Sequence, residues 1–197
     1  DKSQGKREIL IMPTWRNWLD SVPDKDFEES DYFRHYMGLL NSERLNQILE
    51  KYDLEVNFYL HAKFQEYADT FKSISKRIHL ISFGEVAVNE MLMRCRMLIT
   101  DYSSVCWDIL YQDKPSLFYQ FDIEKYNEAH GSYIDMETEL FGDRAATQEQ
   151  LLDYLEETVQ NDFHLKPEYE KMRGEYLQFK DHEHSRHICE EIKKRFH

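Results

Sequence analysis

Apolar residues along this chain fall into short runs separated by longer stretches in which they recur every three to four positions. The runs cover residues 9–12, 56–60, 78–81, 97–100 and 116–120. Their length and their β-branched or aromatic content predict buried strands. Between them, residues 31–52 carry Tyr32, Tyr36, Leu39, Leu40, Leu45, Ile48 and Leu49 at nearly helical spacing, and 86–94 and 103–111 are shorter versions of the same pattern. Strands alternating with helices predict parallel βαβ units, hence an α/β fold with a doubly wound sheet.

The end of the chain reads differently. Thr147 followed three positions later by Gln150 is a capping-box pattern, and Leu151, Leu152, Leu155 and Val159 continue it as a helix over 147–160. Two further charged helices are expected at about 167–180 and 185–196, so that residues 161–197 form a helical tail on a single domain spanning 1–197. Neither an internal repeat nor a low-complexity linker is evident.

Composition narrows the class. With 197 residues, 41% of them hydrophobic and 14% aromatic, the chain can fill one core, and four prolines with six glycines argue against disorder. The formal charge of −13 disfavours a nucleic-acid partner, which needs a clustered excess of Lys and Arg, but leaves room for a local site that takes a small phosphorylated ligand. Cys95, Cys106 and Cys189 are odd in number and in no metal spacing; they read as reduced core thiols of a cytoplasmic protein. No apolar run approaches the roughly 18 residues of a membrane span, and no leader pattern opens the chain, so a soluble protein is expected. The chain passes at once from DKSQGKR into ILIMP, from which we expect a fragment of a larger protein.

In an open parallel sheet, ligands collect beyond the carboxyl ends of the strands. After the first predicted strand come Pro13, Thr14, Trp15 and Arg16. Thr14 and Arg16 supply a hydroxyl and a guanidinium suited to phosphate oxygens, against the alternative of a surface turn with Trp15 packed beneath it. His61 follows the second strand. The segment ITDYSSVCWDIL, residues 99–110, places Asp101, Ser103 and Ser104 between a strand and a helix whose first amides lack internal partners and bind phosphate readily. Simple capping by Asp101 or Ser103 explains one of these residues but not all three. Further on, Gly131 permits positive φ, and Ser132, Tyr133 and Asp135 are candidates to line a polar pocket, the alternative being a surface loop.

The order PTWR, a strand ending in His61, LITDYSSVCWDILYQDKPSLFYQFDIEKY and then HGSYID resembles the carboxyl-terminal half of the CDP-glycerol glycerophosphotransferase family, the teichoic-acid primases and polymerases. The resemblance spans residues 9–155. It implies a GT-B fold with two Rossmann-like domains, of which this chain is the carboxyl-terminal, donor-binding one. It also implies CDP-glycerol or a related CDP-alditol as donor substrate, with no separate cofactor, and an acceptor, polymer or lipid-linked, reached through the missing amino-terminal half; no metal-ligand set is read from the sequence. The full-length enzyme would be cytoplasmic and peripheral on the inner face of the membrane.

Carried over by position, the resemblance makes Ser103 and Ser104, with the amides after Asp101, a cradle for the donor pyrophosphate. Thr14 and Arg16 become the loop approaching it, and His61 the active-site histidine that takes or relays a proton. Two departures stand out: His130 occupies the place of an arginine the family writes before its Gly-Phe-Tyr triplet, and Phe141-Gly142-Asp143 stands where Pro-Gly-Pro is usual. A nucleotide-sugar glycosyltransferase of GT-B fold, using the same site for a UDP or GDP sugar, and a non-catalytic scaffold domain are the competing functional readings.

Overall fold

The computed structural model describes residues 7–196 apart from Tyr133, Lys180 and His182. Six strands form one sheet: β1 (Arg7–Ile11), β2 (Leu54–Tyr59), β3 (Ile78–Ile81), β4 (Met97–Thr100), β5 (Ser116–Tyr119) and β6 (Asp143–Ala145). All neighbours run parallel, in the order β3-β2-β1-β4-β5-β6. The predicted doubly wound sheet is therefore present, and its order reverses between β1 and β4, the crevice where such sheets place ligands.

Side chains alternate across the pleat and build two cores. Ile9, Ile11, Val56, Phe58, Met97, Ile99, Leu117 and Tyr119 face one side, and Leu10, Met12, Tyr59, Leu98 and Phe118 the other. The first side is covered by α1 (Asp24–Glu28), α2 (Asp31–Leu40), α3 (Glu43–Lys51) and α7 (Gln148–Gln160), whose buried apolar residues belong to that core. Residues of α4 (Val88–Arg94), α5 (Val105–Tyr111) and α8 (Pro167–Tyr176) pack into the second core. Burial on both faces explains why the strands read as continuous apolar runs.

The helix predicted over 31–52 is two helices. Ser42 accepts the amide of Leu45 as an N-cap, and Asn41 ends α2, so the chain turns between two faces that the apolar spacing had joined. The helices predicted at 86–94 and 103–111 start two residues later, at Val88 and Val105, and the one predicted to reach 180 ends at Tyr176. The capping box of Thr147 and Gln150 is formed as predicted.

The tail is less separate than expected. Helix α8 is clamped by Lys166 and the Tyr169 hydroxyl on Asp143 of β6 and by the Tyr176 ring against Trp107. Helix α9 (His184–Phe196) buries no residue, and Cys189 on it is exposed, so only Cys95 and Cys106 are core thiols. No helix among the described residues is long and apolar enough to cross a membrane.

Candidate functional site

The carboxyl ends of β1, β4 and β5 are tied together by a buried polar cluster centred on Arg16. Its Nε and Nη2 donate to the two carboxylate oxygens of Asp122 at 2.8 and 3.0 Å, its Nη1 donates to the Thr14 carbonyl at 2.7 Å, and its Nη2 lies 2.9 Å from Asp101 Oδ2. Asp101 in turn accepts the amides of Thr14 and Tyr102 and the Tyr36 hydroxyl. The guanidinium carbon sits 4.8 Å from the centroid of Tyr102, 5.3 Å from that of Tyr32 and 5.4 Å from that of Tyr126, a cage that suits a planar cation stripped of water. Burial and the nearby carboxylate of Asp101 raise the Tyr32 and Tyr36 hydroxyls well above their ordinary range, so both stay protonated.

Arg16 and Asp101 are both fully buried; Arg16 pairs with Asp101 and Asp122, so its charge is met inside the protein, while Asp101, paired with Arg16, also borders the adjoining cavity. The sequence shows an arginine and an acid at strand ends; it does not show that they meet. Asp122, 106 positions beyond Arg16, completes the cluster and was not singled out, although it lies in the FYQFD string that carried the family resemblance.

Immediately beside this cluster opens a cavity of about 250 Å³. Ser103, Ser104, Gly131 and Ser132 supply its small and hydroxylated wall, and Cys106, Trp107, Phe118, Tyr126 and Leu140 are among its apolar wall. The Ser104 side chain makes no capping bond to α5, and Ser103 Oγ reaches only the Val105 amide, at 3.5 Å. The capping alternative is met in part, by Asp101 on the Tyr102 amide and by the long Ser103 contact, and leaves the Ser104 hydroxyl without a capping role. Gly131 has φ of +69°, the left-handed conformation in which a side chain is disfavoured, at a point where the loop lines the cavity.

The other candidates divide. Ser132 lines the cavity and accepts the Ile134 amide. Asp135 does not line it: its carboxylate accepts the amides of Glu137 and Thr138, which hold it below the usual carboxylate range, so it is a turn cap and not a pocket residue. Tyr133 lies outside the described residues. Thr14 Oγ1 is buried without a hydrogen-bond partner, its amide being the group committed to Asp101.

His61 and His130 flank Trp15 instead of the cavity. The Trp15 ring is 6.4 Å from His61, inclined by 24°, and 6.2 Å from His130, which also rests on Tyr126 at 4.9 Å. Trp15 thus links two polar strand-end loops, a role that its reading as a turn filler did not anticipate. Burial, and secondarily the charge of Lys63, lower His61 below its ordinary value of 6.5, so its ring is neutral at pH 7.

Comparison with known proteins identifies the family and the fold. Residues 2–194 match the family model for CDP-Glycerol:Poly(glycerophosphate) glycerophosphotransferase. The chain is similar to the minor teichoic acid biosynthesis protein GgaB of Bacillus subtilis, with 28% identity over 193 residues, covering 91% of this chain and 21% of that protein. It is 31% identical over 158 residues to a teichoic acid poly(ribitol-phosphate) polymerase of Bacillus spizizenii, covering 80% and 24% respectively. A teichoic acid glycerol-phosphate transferase of Staphylococcus aureus is 27% identical over 197 residues, covering 96% and 46%. The chain therefore spans less than half the length of each of these relatives. The solved structure of the wall teichoic acid polymerase TagF shares the fold, with a TM-score of 0.67 at 22% identity over 96% of this chain and 44% of that one.

Proposed function

The chain belongs to the CDP-glycerol:poly(glycerophosphate) glycerophosphotransferase family, and from that premise we propose that it is the donor-binding half of a transferase. The transferase moves an alditol phosphate, glycerol phosphate foremost, from a CDP-linked donor to a hydroxyl of a growing teichoic-acid-like or capsular polymer. The acceptor oxygen bonds to the glycerol-bearing phosphorus as its hydroxyl proton is released to solvent, the bond from that phosphorus to the bridging oxygen breaks, and CMP leaves. The acceptor, polymer or lipid-linked, binds to protein outside these 197 residues, at the inner face of the cell membrane.

The observation that carries this reading is the cavity beyond the carboxyl ends of β4 and β5, with the unengaged hydroxyl of Ser104 and the start of α5 on one wall and apolar side chains on the other. Phosphoryl transfer asks a protein chiefly for positioning and for stabilisation of charge. Because Arg16 is committed internally, that stabilisation falls to the Ser103 and Ser104 hydroxyls, the adjoining amides and His61. The buried cluster's part is to hold the three strand ends in register.

Calorimetry with CDP-glycerol tests the proposal. Binding in the micromolar to millimolar range is expected, weakened on the order of tenfold or more by Ser103→Ala with Ser104→Ala, as loss of hydrogen bonds to a charged group requires. UDP- and GDP-linked sugars should bind less tightly. A folded chain that gives no heat with any cytidine nucleotide sinks the reading.

A further inference from the structure

We infer that the chain holds a second binding site, for a neutral polyol such as a sugar or an alditol, at the amino-terminal ends of β5 and β6. The inference stands apart from the donor-binding reading. The donor cavity, walled by α5 and by Tyr126 of α6 (Ile123–Ala129), lies beyond the carboxyl ends of the strands, at the opposite edge of the sheet.

A cavity of about 400 Å³ opens there, between the starts of β5 and β6, the end of α7 and the start of α8. The wall residue that asks for a partner is Ser116. Its neighbour along β5, Leu117, belongs to the first core, so Ser116 faces the second side of the sheet, where Tyr169 packs. Ser116 is 1% exposed, and its Oγ has no hydrogen-bond partner. A buried hydroxyl left unpaired is destabilising, and a ligand hydroxyl that reached it would relieve that cost.

The other polar atoms of the wall set the chemistry. Lys166 Nζ lies 2.9 Å from Asp143 Oδ2 and 3.1 Å from Glu157 Oε1, and the Tyr169 hydroxyl donates to Asp143 Oδ1 at 2.9 Å. Two carboxylates against one ammonium leave the wall negative, which repels a phosphate. A cation is no better placed, because Lys166 already engages both carboxylates, and no trio of metal-ligating side chains occurs among the described residues. What fits is a neutral ligand that both donates and accepts. His164 donates Nδ1–H to the Asn161 carbonyl at 2.9 Å and so keeps Nε2 as an acceptor, while the carboxylate oxygens retain unused lone pairs. Polyol hydroxyls can donate to these groups and accept from Lys166 and Ser116, and Pro115 and the Tyr169 ring offer apolar surface to the C–H face.

The same cavity gives a place to a string that the donor site leaves unused. Gly142 approaches the Ser116 carbonyl too closely for a Cβ, and this approach sets the next residue, Asp143, within hydrogen-bond reach of Lys166 and Tyr169. The Phe141-Gly142-Asp143 departure thus builds one wall of the second cavity.

Amide chemical-shift mapping on the ¹⁵N-labelled chain, titrated in turn with glucose, ribitol and glycerol 3-phosphate, tests the site. Glucose, ribitol or both should give saturable shifts around Ser116, Asp143 and Lys166, and glycerol 3-phosphate should bind there about tenfold or more weakly, since its charge meets like charge. Ser116→Ala should weaken the polyol by about three- to tenfold, the worth of one hydrogen bond, and leave the thermal midpoint unchanged or raised, because the hydroxyl it removes is unpaired and buried. Glu157→Gln, on the exposed end of α7, should weaken the polyol to a similar degree. Neither variant should alter CDP-glycerol affinity. Absence of saturable shifts at those amides, glycerol 3-phosphate binding as tightly as the neutral probes, or affinities unchanged in both variants overturns the inference. A folded chain that binds glucose or ribitol there but no CDP-glycerol overturns the donor-binding reading and leaves this site standing.

Discussion

Arg16 and Asp122 form a two-pronged ion pair, Nε to Oδ2 at 2.8 Å and Nη2 to Oδ1 at 3.0 Å, that joins the loop after β1 to the loop after β5 across the end of β4. Because Asp101 at the end of β4 contacts the same guanidinium, one cation holds three strand ends. The crevice is thereby shaped by an internal charge cluster, and the ligand-facing surface is left to hydroxyls, amides and rings.

Removing that cation should be costly. Arg16→Ala leaves Asp101 and Asp122 facing each other without a counter-charge in a buried place, and the loss expected for a broken buried pair is about 3–5 kcal/mol. Arg16→Lys restores a charge but not the fork that reaches Asp122, Asp101 and the Thr14 carbonyl together, so it should recover only part of the loss. Urea midpoints of the three proteins are the measurement, and an Ala variant as stable as the parent would show that the cluster contributes nothing.

Arg16 also shows where sequence reading stops. An arginine beyond a strand end calls for an anion, and local pattern cannot say whether that anion is a phosphate or a carboxylate more than a hundred residues away. Asp101 and Asp122 are polar for the same reason, and their meeting is a product of strand order. The five longer strands were legible because burial on both faces leaves continuous apolar runs. Strand β6 was not, being three residues long, polar at Asp143 and Arg144, and held by its pairing with Leu117–Tyr119. The break at Ser42 was written in the Asn41-Ser42 pair but was outweighed by the apolar period on either side.

Gly142 and Gly131 should respond differently to alanine. A Cβ at Gly142 would collide with the Ser116 carbonyl and the Phe118 ring, pushing the entry of β6 away from β5, with an overpacking cost of about 1–3 kcal/mol or more. At Gly131 the Cβ meets open space, so only the positive φ is penalised, by about 1–2 kcal/mol. Gly142→Ala should therefore lower the thermal midpoint more than it weakens CDP-glycerol binding, whereas Gly131→Ala should weaken CDP-glycerol binding more than it lowers stability. Equal behaviour of the two variants in both assays would contradict this division.

The three thiols should separate by location. Burial pushes Cys95 up to about 11 and Cys106 up to about 12, and both side chains are shielded from solvent, while Cys189 is exposed on α9. Near neutral pH a thiolate-seeking reagent should label Cys189 alone in the native chain and all three cysteines once urea unfolds it. Rapid native labelling of Cys106 would mean that the helix beside Ser103 opens, and would undermine the rigid wall assigned to it.

Acid should act on stability through His61. Burial and Lys63 hold the folded imidazole below 6.5, so between the folded value and 6.5 the unfolded chain binds more protons than the native one. The stabilisation relative to the protonated ring is fully present above 6.5 and is lost as pH falls through that interval. His61→Gln has no proton to gain, so its urea midpoint should decline less steeply than the parent's between about pH 7 and pH 5, the remaining histidines contributing equally to both proteins. Parallel pH profiles would mean that His61 is as easily protonated in the folded chain as in the unfolded one, which the Lys63 amide bonded to Nδ1 does not permit.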